Sequence, residues 1–189
     1  MAGLFDDIPV VGELVKQEAS PFASIPKKEP SKDKLDTKTR VLQYKDYADK
    51  YGAEFGEDPA LLLAMMHKES GGERGRVSSR GAEGLMQFMP ATADEYGVED
   101  PDDPDQAVRG AAKYTQWIRQ QVRKLGVPAA EEDAAVLASY NWGIGNFSKT
   151  YERAKKAGTR WQTRLESNKE TRDYVATVLA LKHDYKADK

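Results

Sequence analysis

Residues 65–90 read MMHKESGGERGRVSSRGAEGLMQFMP, and two incompatible patterns meet inside them. Up to Ser70 the spacing is helical. Leu62, Met65 and Met66 fall at i, i+3 and i+4, and the next position on that apolar stripe is Glu69. Immediately beyond, Gly71, Gly72, Gly75, Gly81 and Gly84 crowd into the interval 71–84 alongside Ser70, Ser78 and Ser79. That density forbids a regular helix and predicts a tight small-residue loop or hairpin. No strand precedes these glycines and no GK[ST] ending comes after them, so they are not a phosphate-binding fingerprint.

A carboxylate on the buried face of a helix is partly desolvated, which favours its neutral form. Glu69 also stands near the expected C-terminal end of its helix, where the carbonyl dipoles oppose negative charge. Both effects raise its pKa. A glutamic acid kept protonated near neutral pH is what general-acid cleavage of a glycosidic bond requires. The competing reading is a Glu69 that rims the core with its head in water, or pairs with a buried arginine. The adjoining loop favours the first reading, because an extended ligand can lie against it.

The pattern outward from this point is helical. Val41, Tyr44, Ala48, Tyr51 and Phe55 recur at spacings of three and four from about Asp36 onward. Asp58-Pro59 supplies an N-cap and a first-turn proline ahead of LLLAMMHKES. Asp103-Pro104 repeats that signal before a long helix with Val108, Ala111, Ile118, Val122 and Leu125 on one side. Further helical segments are expected at about 131–141, 146–157 and 168–183, the last carrying Tyr174, Val175, Val178 and Leu179. Alternation of period two is missing, and there is no internal repeat. The expectation is a mainly α domain over 39–185, with a flexible N-terminal tail over 1–38 and a short C-terminal tail over 186–189.

The tail is read from composition. Residues 16–38 contain Pro21, Pro26 and Pro30 among many Lys and Glu, and bury too little apolar surface to offset the entropy of ordering. Ahead of them, LFDDIPVVGELV is either a frayed terminus or a short docking peptide. The start MAGLFDDIPVVGELV carries Asp6, Asp7 and Glu13 where an export signal would be basic and then continuously apolar.

Composition excludes several classes. Lys+Arg is 29 against Asp+Glu 31, without the basic excess of a nucleic-acid binder. The absence of cysteine removes disulfides, thiolate metal sites and a Cys nucleophile. His67 and His183 are too far apart in sequence to suggest a histidine cluster. The acidic VEDPDDPDQ, residues 98–106, lacks the glycine and terminal glutamate of a calcium loop and reads as a capped turn. No apolar run approaches a membrane span. Neither cofactor nor metal is expected.

The motifs then converge on one family. Glu69-Ser70, Ser78, the run from Gly81 to Pro90 (GAEGLMQFMP) and Ala91-Thr92-Ala93 resemble the signature of the soluble lytic transglycosylase family. That family also carries an AYNxGxGx segment and a final ETRxYV. This chain has SYNWGIGN at Ser139–Asn146 and ETRDYV at Glu170–Val175, in the same order. The resemblance covers about 40–183. It implies a lysozyme-like helical domain of the goose-type kind, with the Gly-rich loop beside an active-site cleft.

The resemblance also implies roles. Glu69 is the expected sole catalytic acid and base, and Ser78 the serine that polarises the N-acetyl group of the muramic acid. Gln87 and Met89 are expected to line the saccharide groove. Tyr140 and Asn141 would face Glu69 across the cleft, with Glu170 supporting that wall. Phe88 stands where an aliphatic residue is usual, and Trp142 where a small residue is usual after the asparagine. The implied reaction cleaves the MurNAc-β-1,4-GlcNAc bond of peptidoglycan and closes a 1,6-anhydro ring. If Glu73, Glu83 or Asp94 activated water, the domain would instead hydrolyse its substrate as a goose-type lysozyme. A non-catalytic peptidoglycan-binding module is the third reading.

The expected partners are peptidoglycan glycan strands and, through residues 1–38, proteins of a phage virion or a secretion apparatus. Without an export signal, delivery to the periplasm and cell wall by a phage particle is the favoured route, with a phage endolysin or a dedicated secretion machine as the alternatives. The chain can equally be the front portion of a longer protein. The basic stretch KTYERAKKAGTRWQTR, residues 149–164, reads as a solvated helical face, or as one that attracts an anionic wall.

Overall fold

The computed structural model describes residues 35–165 and 168–187. Of the tail and docking segment read from the sequence over residues 1–38, residues 1–34 lie outside the described residues, while Asp36 caps the first helix and Thr37 and Lys38 are its first residues. The rest is a helical unit with α3, Pro59–Glu69, at its centre. Asp58 caps α3 by accepting from the Ala60 N–H at 3.0 Å, and Pro59 occupies its first turn. Every residue from Ala60 to Met66 is buried, so this helix is enclosed on all sides rather than along one stripe.

The helix expected from Asp36 to Phe55 is two helices. α1 spans Thr37–Leu42 and α2 spans Lys45–Phe55. The apolar spacing runs through the break, and Val41, Tyr47, Ala48 and Tyr51 are all buried. Tyr44 sits at the break, with its hydroxyl donating to the Gly72 carbonyl at 3.2 Å. A tertiary contact thus holds the chain where periodicity alone predicts continuity.

α4, Pro90–Tyr96, leads into α5, Pro104–Lys124. Asp103 caps α5 by accepting from the Asp105 and Gln106 N–H groups, as the sequence suggested. Val108, Ala111, Ile118 and Val122 face inward, while Leu125 lies just past the helix end, half-buried. α6, Glu132–Trp142, α7, Ile144–Lys156, and α8, Lys169–Lys186, complete the unit. α3 packs against α2 and α8, and α6 packs against α5, α7 and α8. On α7, Phe147 and Ala154 are buried while Lys149, Arg153, Lys155 and Lys156 face water. No helix of the described residues is long and apolar enough to cross a membrane.

An ionic seam ties the helices at the end of α3 opposite Glu69. The Arg119 guanidinium on α5 holds Glu57 at 2.7 Å and Asp133 at 2.9 Å. Burial opposes that charge, yet the bonds to Glu57 and Asp133 outweigh it and hold Arg119 above its ordinary pKa. Lys182 on α8 reaches Asp58 and Asp133, so α3, α5, α6 and α8 meet in one network.

Candidate active site

Glu69 is the last residue of α3, and the turn after it is stapled down side chain by side chain. The buried Ser70 hydroxyl donates to the Leu85 carbonyl at 2.7 Å and accepts from the Gly72 N–H at 3.0 Å. Arg76 donates to the Ser70 carbonyl at 3.2 Å. Two isolated antiparallel bridges, Val77 with Glu83 and Glu83 with Phe88, fold residues 76–88 into a hairpin-like loop without strands.

Gly84 lets this loop lie against the turn before α5. Its φ is +72°, and a Cβ there would stand 2.1 Å from the Pro101 carbonyl oxygen. The adjacent Leu85 N–H donates to that same oxygen at 3.0 Å. A Gly84→Ala variant therefore suffers both a backbone clash and a left-handed strain. It should lose about 3 kcal/mol or more of stability, measurable by thermal unfolding.

Glu69 keeps only a partial opening to solvent, and burial pushes its carboxyl up to about 7. The Tyr174 hydroxyl, donating to Oε1 at 2.6 Å, and the Lys68 charge pull the other way and are outweighed. No neighbouring carboxylate contributes to the rise. The Tyr140 and Tyr174 phenols are both pushed well above their ordinary range, by burial first and by the Glu69 charge second. Two tyrosines, one from α6 and one from α8, thus share the electrostatic environment of the acid. Because the Tyr174 bond favours the ionised carboxylate, Tyr174→Phe should raise the Glu69 pKa further. The alkaline limb of any Glu69-dependent activity should then move to higher pH, as a pH–rate profile would show.

Each residue singled out in the sequence has a definite place. Tyr140 donates to the Met86 carbonyl at 2.9 Å, joining α6 to the loop. Asn141 accepts from the Thr171 hydroxyl at 2.8 Å, which leaves its amide N–H₂ as the free donor. Glu170 is exposed in the first turn of α8 and makes a two-armed ion pair with Arg80 of the loop, at 3.2 and 3.0 Å. Ser78 accepts from the Ala82 and Arg80 N–H groups and so caps its own turn, its hydroxyl proton still available to donate. Gln87 adopts φ +50° and donates its side-chain amide to the Arg76 and Gly84 carbonyls, both at 3.0 Å. It binds the loop together with its nitrogen and keeps only Oε1 for a ligand. Met89 is 46% exposed at the start of α4.

The two departures also find places. Phe88 is buried edge-on to Tyr140, and Trp142, half-buried, ends α6. Glu73, Glu83 and Asp94 are all exposed, and Glu73 pairs with Arg40 at 3.1 Å. Among the described residues, no group of three or more His, Asp and Glu side chains could hold a metal.

Other residues at the site escape a reading by motif roles. Tyr174 was legible only as part of an apolar stripe, yet its hydroxyl needs a partner when buried, and that partner is Glu69. Tyr114 and Trp117 on α5 form, with Tyr96 and Tyr140, an aromatic array. Tyr114 lies 4.8 Å from Tyr96, 5.4 Å from Tyr140 and 6.1 Å from Trp117, centroid to centroid. Their i, i+3 spacing beside the apolar stripe of α5 was the available signal. Half-buried rings, with Tyr140 among them sensing the Glu69 charge, suit a ligand with apolar ring faces.

A family model described as the Transglycosylase SLT domain matches residues 46–162. Membrane-bound lytic murein transglycosylase F of Photobacterium profundum is 29% identical over 84% of this chain and 31% of its own length. Its counterpart in Serratia proteamaculans is 37% identical over 60% of this chain and 24% of its own length. The chain therefore spans no more than about a third of these relatives. Among solved structures, an inactive mutant of the lytic transglycosylase Slt of Pseudomonas aeruginosa superposes with a TM-score of 0.62 at 23% identity. It covers 78% of this chain and 24% of that one. The 70 kDa soluble lytic transglycosylase of Escherichia coli gives the same TM-score and identity over 76% of this chain and 24% of its own. These two structures share the fold.

Proposed function

As the chain belongs to the transglycosylase SLT domain family, we propose that it is a peptidoglycan lytic transglycosylase in which Glu69 is the single acid and base. The observation that carries this reading is Glu69 itself: enclosed, raised to about 7 by burial, and held by Tyr174. Below about pH 7 the protonated carboxyl donates to the glycosidic oxygen between MurNAc and GlcNAc. The substrate's 2-acetamido oxygen stabilises the positive C1, with the Ser78 hydroxyl polarising that acetamido group. The carboxylate then takes the proton of the C6 hydroxyl, whose oxygen attacks C1 and closes the 1,6-anhydro ring. Water is not consumed, and Glu69 ends protonated.

The two-carboxylate alternative of a hydrolase finds less support. Glu73, Glu83 and Asp94 are exposed, and none contributes to the environment that raises Glu69. Asn141, through its free amide, and the aromatic array of Tyr140, Tyr114 and Trp117 offer contacts to the sugar rings, with Gln87 Oε1 and Met89 on the loop side. Glu170 supports the wall through its pair with Arg80.

Delivery to the cell wall by a phage particle, with the part of the 1–38 segment that precedes α1 as the docking element, is the proposed setting. It rests on the Pro- and Lys-rich composition of that segment and its apolar start. Incubation of purified peptidoglycan with the protein below neutrality tests the activity. Release of soluble muropeptides is expected, and binding without release would favour the non-catalytic module.

A further inference from the structure

α1 ends before the family-matched stretch 46–162 begins, yet it grips the turn just beyond Glu69. Arg40 Nε donates to the Gly71 carbonyl at 2.8 Å, and another arm of the same guanidinium pairs with Glu73 at 3.1 Å. Tyr44 donates to the next carbonyl, that of Gly72, at 3.2 Å. Gly72 has φ +73°, and a Cβ there would meet Arg40 Cγ at 3.2 Å, Val41 Cγ2 at 3.3 Å and Tyr44 Cε2 at 3.3 Å. The turn is thus pressed against α1 as well as bonded to it. The Gly71 N–H, in turn, donates to the Met66 and His67 carbonyls and closes the helix that ends on Glu69. The Arg40 contact and the closure of the acid-bearing helix therefore fall on one residue, Gly71, through its carbonyl and its N–H.

We propose that Arg40 is a positioning residue for Glu69, its guanidinium locking the 70–73 turn so that the acid is held enclosed and in line with the groove. The proposal rests on the reading of Glu69 as the acid. A planar fork reaching a carbonyl and a carboxylate at fixed angles fixes a turn in a way a lysine ammonium does not. The pair with Glu73 is half exposed and contributes little by itself, so the Gly71 bond is the effective one. The groups that act on Glu69 directly are Tyr174 from α8 and Lys68 on its own helix, while Tyr140 from α6 feels the Glu69 charge. Arg40 is not among them. This separates two effects by sign. Simple removal of a positive charge would raise the Glu69 pKa, whereas a loosened turn lets water in and lowers it.

The experiment uses the full chain with Arg40→Ala and Arg40→Lys. The Glu69 carboxyl is titrated by NMR of ¹³C-glutamate-labelled protein, with Glu69→Gln giving the assignment. In Arg40→Ala the Glu69 pKa should fall by about one unit. Its kcat on peptidoglycan should drop roughly ten- to a hundredfold, with KM changed less than about twofold. Arg40→Lys, which keeps the charge but not the fork, should show smaller changes of the same sign, and is read alone if Arg40→Ala does not fold. A lowered Tm with unchanged titration and kcat would make Arg40 merely structural and overturn the proposal, as would an upward shift. If the wild-type protein released no muropeptides, the proposed activity would fall while the titration still tested the brace.

Discussion

Glu69→Gln is expected to lower muropeptide release by roughly 10²–10⁴-fold, toward the upper end because one group is asked to serve as both acid and base. Glutamine keeps the shape of the side chain and can still meet the Tyr174 hydroxyl, so substrate binding should survive. Stability separates loss of chemistry from loss of fold. The folded-state pKa of Glu69, about 7, lies above the ordinary 4.5. A group whose folded pKa is raised stabilises the fold fully below its unfolded pKa, and that contribution is lost as pH rises through the folded value. Wild type should thus lose up to about 3 kcal/mol between pH 4.5 and 7 through this one group. Glu69→Gln should escape that loss. Thermal melts of the two proteins should converge in acid, separate as the pH rises from about 4.5 to about 7, and stay apart above that, the inactive variant being the more stable.

The second large effect lies at the other end of α3. Arg119→Met should cost about 3–5 kcal/mol, because it strands Glu57, whose side chain is fully buried, without its partner. For a domain of this size that is a fall in Tm of about 10 °C. Adding Glu57→Leu should recover most of it, since an apolar pair of similar volume avoids burying a lone charge. Muropeptide release by the double variant should stay near the wild-type level below its melting temperature, because the seam touches none of the groups around Glu69. If Arg119→Met alone melted like the wild type, the seam would not be holding these helices.

Local chemistry was readable from the sequence wherever one element decides it. The caps at Asp58 and Asp103, the apolar face of α5 and the position of Glu69 at a helix end are set by spacing and residue type. The carboxyl raised by burial comes from the same stripe. The features that escaped depend on contacts distant in sequence. Tyr174 and Glu69 are 105 residues apart, and periodicity shows that Tyr174 faces inward without showing what it meets. The break between α1 and α2 is held by Tyr44 reaching Gly72, 28 residues on, while the apolar spacing continues through it. The motif points to Gln87 as a groove residue without showing that its backbone geometry turns its amide nitrogen onto two carbonyls of its own loop and leaves Oε1 for a ligand. Arg40 reads as one more surface cation until the fold brings Gly71 to it.

The proposed mechanism stands or falls on one carboxylate doing two jobs, and the product carries the record. Mass spectrometry of muropeptides released from purified peptidoglycan should show fragments lighter than the hydrolytic products by one water, with 1,6-anhydro-MurNAc ends. Fragments with reducing MurNAc ends would contradict it, and would mean that a water molecule, activated by a second group, had taken the place of the C6 hydroxyl.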